Sequence, residues 1–414
     1  MSRPSHTPKI STSAKRASQA LAFTCRSLSV GWLLLLLPLW LFSQKVVTGA
    51  EQLERYLPLL AGKQVGLVVN HSSLIGQSHL VDTLFAHGVC LGRIFAPEHG
   101  FRGSAEAGEL VKDGHDVRTG TPITSLYGKR KKPSADDLAG LDVVVFDIQD
   151  VGARFFTYIS TLFLVMEACA EQGKEVIVLD RPNPNGWYVD GPVLIDPKLE
   201  SFVGIAPLPL VHGCTVGELA RLFRGENWVW QPRERLRLTV VPCLHYDHRT
   251  PYDPPVPPSP NLPNARAVLL YPGICLFEGT VASLGRGTEM PFQVIGHPEF
   301  PIDSFSFVPR SVPIARHPPN EGFRCKGYDL RTIPLDSLRQ QPGLNLSWLL
   351  DFYHNFTNKH YFFLENRFFD LLAGNRLLRQ QIIEGKTEAE IRASWASDLE
   401  VFREIRKKYL LYAE

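Results

Sequence analysis

The sequence of 414 residues contains few cysteines and no Cys-x-x-Cys pair. One of its seven cysteines is Cys25, and the other six are widely scattered along the chain. This spacing opposes a zinc ribbon or a dithiol redox pair. A chain of this length does not need disulfides to hold its fold, so we expect most of these cysteines to be small buried hydrophobic residues.

Several signatures of nucleotide binding and catalysis are also absent. No Gly-x-Gly-x-x-Gly loop follows the first predicted strand, and neither a Gly-x-x-x-x-Gly-Lys-Ser/Thr loop nor a Gly-x-Ser-x-Gly elbow occurs. These absences exclude a dinucleotide site, a P-loop and an α/β-hydrolase nucleophile. His-x-His and His-Glu-x-x-His spacings are missing too, and we expect no cofactor. The alternative is a metal site, whose ligands would be Glu98, His99, Asp147 and Asp180.

Acidic residues are missing from the first 50 positions, which hold six basic ones. The chain as a whole has a formal charge of +2, so residues 51–414 carry −4. A mildly acidic body argues against nucleic acid as a partner.

The basic segment precedes the uncharged residues 27–44, which include five consecutive leucines. This order predicts an export signal and a place in the periplasm or cell envelope. The run is short for a membrane span, is interrupted by Pro38 and lacks a convincing Ala-x-Ala site, so cleavage and retention as an N-terminal membrane anchor both stay open. A buried hairpin is the alternative to export.

Residues 64–242 alternate between strand-like and helix-like segments. Continuous apolar strands separated by helices predict an α/β fold with a parallel sheet covered on both faces. Capping boxes at Thr215/Glu218 and Thr387/Glu390 mark two helix starts, the second followed by an apolar stripe on one helix. The predicted strands are 64–70, 90–96, 142–147, 175–180, 236–242 and 268–277, and the predicted helices include 79–87 and 157–173.

Proline occupies seven of the thirteen positions 251–263. So many prolines cannot lie inside a helix or a central strand, which places a domain boundary nearby. We therefore predict a leader at 1–45 and two domains, at 46–250 and 251–414. A rigid loop facing the substrate is the alternative interpretation of the proline segment.

Polar side chains follow four predicted strands in succession. Ligands of open parallel sheets bind at the carboxyl ends of the strands, so these groups are expected to form one site. Carboxylates, amides, arginines and aromatic rings suit a sugar, with Glu98 as the best candidate for a general acid. Glu98 could instead cap a helix or pair with Arg102, and Asp150 and Arg154 could form a helical ion pair. The residues assigned to the site are Asn70, Glu98, His99, Arg102, Asp147, Gln149, Asp150, Arg154, Tyr158 and Asn183.

Two further charged residues lie between glycines in the second half of the chain. Glycines permit close backbone approach to a ligand, and the planar fork of Arg286 could grip a carboxylate, so Glu278 and Arg286 join the candidate site. A turn with a surface ion pair is the alternative. The basic residues 129–132 are interpreted as a solvated loop. The alternative interpretation is that their positive charge attracts an anionic envelope polymer.

Seven motifs together resemble the NamZ-type exo-β-N-acetylmuramidase family. The resemblance runs from about residue 46 to the end of the chain. The motifs are PEHGFRG (97–103), DVVVFDIQDVGARFFTYIST (142–161), LDRPNPNG (179–186), PPSPNLP (257–263), YPGICLFEGT (271–280), GRGTEMPF (285–292) and RKKYLL (406–411).

The resemblance implies a Rossmann-like domain without a dinucleotide site and a smaller α+β C-terminal domain, with the active site between them. It implies an exo-acting glycosidase that releases N-acetylmuramic acid from peptidoglycan-derived muropeptides or disaccharides, with the catalytic glutamate at Glu98. An enzyme selective for the lactyl carboxylate of that sugar is expected to use an arginine, for which Arg102, Arg154 and Arg286 are candidates. A second catalytic carboxylate would be Asp150, Asp147 or Glu278, unless the substrate's acetamido group serves. The alternative functions are those of a non-catalytic (silent) muropeptide-binding envelope protein and of a metal-dependent hydrolase.

Overall fold

The computed structural model describes residues 44–98, 100, 101, 113–229 and 236–414, and residues 45–414 form one compact unit. The predicted export segment therefore lies outside the described residues, apart from Gln44. Within those residues no helix has both the length and the apolar character needed to cross a membrane.

A seven-stranded sheet forms the centre of the molecule. Its order is β5-β6-β4-β1-β7-β8-β9, and every neighbouring pair is parallel except β5 with β6. The six parallel strands thus follow the order 3-2-1-4-5-6 of a doubly wound Rossmann sheet, which confirms the predicted fold class. The strands are β1 (Gln64–Val69), β2 (Leu74–Ile75), β3 (Ser78–His79), β4 (Cys90–Ala96), β5 (Gly114–His115), β6 (Pro122–Ser125), β7 (Val143–Asp147), β8 (Glu175–Leu179), β9 (Arg237–Val241), β10 (Val294–His297), β11 (Ser306–Phe307) and β12 (Cys325–Asp329).

Five of the predicted strands are confirmed almost to the residue, and burial explains this agreement for the strands at the centre of the sheet. Every residue of β7 is buried, as are four of the five residues of β8, so these segments need apolar side chains on both faces. The short strands β5 and β6 at one edge were not predicted, because β6 starts with a proline and has no long apolar run.

Helices cover both faces of the sheet and make up most of the C-terminal region. Both predicted capping boxes are present: the side chains of Thr215 and Thr387 accept from the backbone of Glu218 and Glu390. The single final helix that we predicted is divided in two at residues 394 and 395. The helices are α1 (Leu53–Leu60), α2 (Leu80–Ala86), α3 (Ala135–Leu138), α4 (Tyr158–Glu171), α5 (Val216–Gly225), α6 (Ala265–Ile274), α7 (Leu335–Arg339), α8 (Ser347–Asn355), α9 (Phe368–Ala373), α10 (Leu377–Ile383), α11 (Glu388–Ala393) and α12 (Ala396–Lys407).

The predicted strand at 268–277 is wrong, because this segment forms α6 and a following 3₁₀ turn, Cys275–Gly279. The Asn264 side chain caps the helix by accepting from the backbone N–H of Ala267. Every residue from Ala267 to Ile274 is buried, so the sequence is continuously apolar and shows no helical periodicity. A short run of this kind cannot be assigned to helix or strand by its pattern alone.

One hydrophobic core continues across the proline-rich segment. It joins Phe156 and Leu162 of the sheet domain to Tyr271 and Phe352 of the C-terminal region. In that region β10, β12 and β11 form a small antiparallel sheet beside the helices, which agrees with the expected α+β character. The predicted boundary at residue 250 stays a prediction. Five of the predicted buried cysteines are indeed buried and all six that are described are free, whereas Cys90 is exposed.

The last residues of the chain return to the sheet domain. The backbone N–H of Leu411 donates to Glu218 at 2.8 Å, and the hydroxyl of Tyr412 donates to Asp180 at 2.5 Å. The carbonyl of Ala413 accepts from the backbone N–H of His248 at 2.9 Å. Asp180 is fully buried at the end of β8 and also accepts from Thr215. The tail therefore supplies donors to carboxylates that are buried away from water.

Replacing Tyr412 with phenylalanine is expected to lower the free energy of unfolding by about 1.5–3 kcal/mol at pH 7.5. Burial raises the pKa of Asp180 to about 6, while hydrogen bonds from Tyr412 and Thr215 oppose that rise. The folded protein consequently carries an ionised Asp180 only above about pH 6, and the loss of unfolding free energy should shrink as the pH falls from 7.5 to 5. Urea denaturation at pH 7.5 and at pH 5 measures the difference. Tyr361→Phe, at a surface tyrosine bonded to exposed Glu299, is the control; an equal loss at pH 5 and 7.5 would contradict the role assigned to the Asp180 charge.

Candidate active site

A cavity of about 590 Å³ opens at the carboxyl ends of the parallel strands. The chain runs from β1 outward to β4 and β6 and then returns to place β7 on the other side of β1. Ligands bind doubly wound sheets at this reversal of strand order. The cavity is lined by Glu98 after β4, Tyr127 after β6 and residues 155–158 after β7, and its opposite wall comes from the C-terminal region.

Glu98 lies at the cavity with neutral hydroxyl groups around its carboxylate. The hydroxyl of Thr157 donates to Oε2 of Glu98 at 3.2 Å. Burial raises the pKa of Tyr127, and the charge of Glu98 and a side-chain hydrogen bond to it raise the pKa further. Among the described residues no cation lies within ion-pair distance of Glu98. A carboxyl group held by neutral donors in this way can exchange a proton with a bound ligand.

Tyr158 begins α4 beside Glu98 and is a buried part of the cavity wall. Its hydroxyl donates to the carbonyl of Pro258 at 3.4 Å. Burial raises the pKa of Tyr158, Glu98 and Asp150 add to the rise, and a hydrogen bond with Asn70 opposes it. Asn70 itself is fully buried and supports Tyr158 from behind the cavity wall.

Glu278 and Arg286 form an ion pair on the C-terminal wall of the cavity. Nη2 and Nε of Arg286 lie 2.6 and 3.0 Å from Oε1 of Glu278, and the guanidinium lies 4.9 Å from the centre of the Phe292 ring. Burial lowers the pKa of Arg286, but the charge of Glu278, the hydrogen bond to it and the nearby Tyr271 and Cys275 together raise the pKa overall. Both residues line the cavity as predicted, and each largely neutralises the other.

Aromatic rings give the cavity an apolar floor. Phe155 and Tyr271 meet edge to face at 5.3 Å between ring centres, Phe156 and Tyr158 at 4.9 Å, and Tyr271 contacts Phe292 at 5.2 Å. Rings of this kind can pack against the apolar face of a sugar, and carboxylates and hydroxyls can bind its hydroxyl groups. Phe155, Phe156 and Tyr158 all line the cavity.

Three of the other predicted site residues support loops beneath the cavity and do not line it. Asp147 is fully buried and holds Arg181, with Nη2 at 2.9 Å from Oδ2. Gln149 donates to the carbonyl of Pro182 at 2.7 Å, and Asn183 donates to the carbonyl of Cys214 at 2.9 Å. His99 and Arg102 lie outside the described residues.

Asp150 and Arg154 also lie away from the cavity wall. Oδ2 of Asp150 accepts from the backbone of Gly152 at 2.7 Å and faces Nε2 of His212 at 3.6 Å. Arg154 is fully buried and donates to three backbone carbonyls, those of Pro192, Leu208 and Leu372, at 2.7–2.9 Å. The alternative of a helical ion pair is wrong, because both residues precede α4 and no ion pair joins them.

Tyr127, Lys131 and Asn261 are among the cavity residues that were not predicted as site residues. Asn261 lies among the prolines of the segment 257–263 and is 3% exposed, yet nothing among the described residues bonds its side-chain oxygen. A buried acceptor without a partner at a cavity indicates a donor on the ligand. The proline-rich segment was the signal in the sequence that could have identified Asn261, because a loop facing the substrate was one interpretation of that segment.

The candidate metal ligands do not come together in the structure. Asp147 binds Arg181, and Asp180 accepts from Thr215 and Tyr412. Across the described parts of the chain, no group of three or more His, Cys, Asp or Glu residues could hold a metal ion. His99 falls outside those parts.

Comparisons with known proteins agree with this architecture. The chain is 39% identical over 388 residues to the peptidoglycan β-N-acetylmuramidase NamZ of Bacillus subtilis (strain 168). The matched region covers 89% of this chain and 92% of that protein. Two crystal structures of DUF1343 family proteins from Bacteroides fragilis NCTC 9343 superpose with TM-scores of 0.81 and 0.76, at 45% and 28% identity, each over 89% of this chain and 99% of the other.

Models of both family domains also match the chain. The N-terminal domain of exo-β-N-acetylmuramidase NamZ matches residues 65–266, and the C-terminal domain matches residues 269–412. The Rossmann strand order, the glutamate at the end of β4 and these matches lead to one conclusion: the chain belongs to the exo-β-N-acetylmuramidase NamZ family.

Proposed function

We propose that this chain is an exo-acting glycoside hydrolase that releases N-acetylmuramic acid from the non-reducing ends of peptidoglycan fragments. The observation that carries the proposal is Glu98, a carboxyl group without a cationic partner among the described residues, in an aromatic cavity of about 590 Å³. Family membership and the named activity of the Bacillus subtilis relative support it.

In the proposed mechanism Glu98 acts as the general acid. It gives its proton to the glycosidic oxygen as the bond from C1 to that oxygen breaks, and positive charge develops on the sugar ring. The hydroxyls of Thr157 and Tyr127 then stabilise the carboxylate that remains. Asp150 does not line the cavity, so we assign the attack on C1 that follows to the Glu278 carboxylate or to the acetamido oxygen of the substrate. Water then attacks C1, its proton passes to the Glu98 carboxylate, and the bond from C1 to the attacking group breaks, which yields N-acetylmuramic acid.

A digest of defined substrates tests the proposal. The purified protein is incubated with the disaccharide N-acetylmuramyl-β-1,4-N-acetylglucosamine and with its isomer that carries N-acetylglucosamine at the non-reducing end, and the products are identified by mass spectrometry. We expect hydrolysis of the first substrate only. Tight binding without products would support the silent binding protein, and activity that a chelator abolishes would support the metal-dependent hydrolase.

Replacing Asn261 with alanine is expected to lower kcat/KM by about tenfold, because the side-chain oxygen is then no longer available to the acetamido N–H or a hydroxyl of the sugar. Hydrolysis of the disaccharide measures the change. Asn355→Ala, at a side chain that bonds within α8, is the matched control and should leave kcat/KM unchanged. A fully active Asn261→Ala protein would show that this acceptor does not contact the substrate.

We further propose that the protein acts in the periplasm or at the outer face of the membrane. The basic leader and the uncharged residues 27–44 support export. Cell fractionation followed by mass determination of the mature chain tests this and separates cleavage from anchoring. A full-length product in the cytoplasm would contradict export.

A further inference from the structure

The carboxylate on the lactyl ether of N-acetylmuramic acid needs a cation in the cavity. Of the described residues that line the cavity, only Arg286 and Lys131 carry a positive charge. Arg286 directs two of its nitrogens to a single oxygen of Glu278. Arg154, a candidate from the sequence, directs its donors to backbone carbonyls and does not line the cavity. Lys131 is therefore the cation that remains available on the described wall.

Both sequence neighbours of Lys131 form ion pairs. Arg130 holds Asp113 at 2.5 Å, and Lys132 lies 2.7 Å from both Glu167 and Glu171. Among the described residues no carboxylate lies within ion-pair distance of Lys131. The ion pairs thus hold the side chains on either side of Lys131, whose ammonium lines the cavity with no described counter-charge.

Two groups on the adjacent loop complete a small subsite. Nζ of Lys131 lies 4.5 Å from the centre of the Phe202 ring, a cation–π contact that holds the ammonium in place without neutralising it. Beside Phe202, the Ser201 hydroxyl is buried and has no partner among the described residues. Ser201 and Phe202 both line the cavity. An ammonium and a free hydroxyl can both donate to the oxygens of one carboxylate.

We propose that Lys131, held over Phe202 beside Ser201, binds the lactyl carboxylate and so distinguishes N-acetylmuramic acid from N-acetylglucosamine. The inference rests on the proposed function and names the specificity-determining group of the same site. It assigns this role to a lysine from a stretch interpreted from the sequence as a solvated loop, in place of Arg154 and Arg286.

The test compares two chromogenic substrates, a 4-nitrophenyl β-N-acetylmuramide with a free lactyl carboxylate and its uncharged lactyl methylamide. We expect the wild-type protein to prefer the acid, and Lys131→Met to lower kcat/KM for the acid about 10- to 100-fold through KM, with little change for the amide. Lys131→Arg should restore part of the preference. Lys129→Met, which removes an exposed charge from the same stretch outside the cavity, should retain the wild-type ratio.

A Lys131→Met protein that keeps the wild-type ratio of acid to amide would overturn the subsite and leave the proposed function intact. If the wild-type protein cleaves neither substrate, the proposed function fails, and the subsite is then judged by calorimetry with N-acetylmuramic acid and N-acetylglucosamine. Binding of the former that is lost in Lys131→Met supports the subsite, and binding that is unchanged or undetectable in the wild-type protein overturns it.

Discussion

Replacing Glu98 with glutamine is expected to lower kcat for the disaccharide by about 100- to 10,000-fold, the usual contribution of a general acid. Glutamine keeps the shape of the side chain and can still accept from Thr157, but it has no proton to give to the glycosidic oxygen. Steady-state hydrolysis by the wild-type and variant proteins measures the loss. Thermal unfolding should be nearly unchanged, because Glu98 is only half-buried at the cavity wall.

The leaving group provides a sharper test of the same role. A 4-nitrophenolate leaves without a proton, so the Glu98→Gln variant should lose much less activity on the chromogenic substrate than on the disaccharide. Glu54→Gln, at an exposed residue in the first turn of α1, is the matched control and should be fully active. Equal losses on both substrates would assign Glu98 to another step.

Replacing Arg154 with methionine is expected to lower the free energy of unfolding by about 3–5 kcal/mol, because buried carbonyls that lose a donor cost about 1–3 kcal/mol each. The change removes the side-chain donor from the carbonyls of Pro192, Leu208 and Leu372, of which Leu208 still accepts from the backbone N–H of Leu194. Because Leu372 belongs to α9, the contact between the C-terminal region and the loops of the sheet domain should weaken as well. Chemical denaturation measures the loss.

Two variants separate this structural role from the substrate contact predicted from the sequence. Arg224→Met removes an exposed arginine in the last turn of α5 and should cost little. Arg154→Lys keeps the charge but cannot reach three carbonyls with a planar fork, so it should also be destabilised. A stable Arg154→Met protein that has lost activity would restore Arg154 to the substrate site.

The sequence predicted the centre of the sheet well because burial on both faces requires nearly continuous apolar sequences in β1, β7 and β8. It predicted the position of Glu98 at the binding edge for a related reason, since the carboxyl ends of neighbouring parallel strands must face one edge of the sheet. The same rule overestimated the site. Asp147, Gln149 and Asn183 also follow strands, but they hold Arg181 and the carbonyls of buried loops, whose polar groups need partners as much as a ligand does.

The residues that sequence reasoning missed reach the cavity from segments without a periodic pattern. Tyr127 and Lys131 follow the short strand β6, and Asn261 lies among prolines more than 150 residues from Glu98. Their proximity depends on tertiary packing, which no local pattern reports. The helix α6 was missed for the opposite reason, because complete burial removes the polar face that makes a helix recognisable.

The docking of residues 411–413 onto the end of β8 has a consequence for the order of events during synthesis. The carboxylates of Glu218 and Asp180 receive donors from residues that lie 193 and 232 positions later in the chain. The end of β8 therefore cannot reach its final state until residues 411 and 412 have been synthesised, although the strand itself is made early. For a protein that we propose to be exported, this delay leaves the sheet domain less stable during the time in which the chain must engage a translocation channel. A bulky fusion placed directly after Glu414 should accordingly slow the last step of folding.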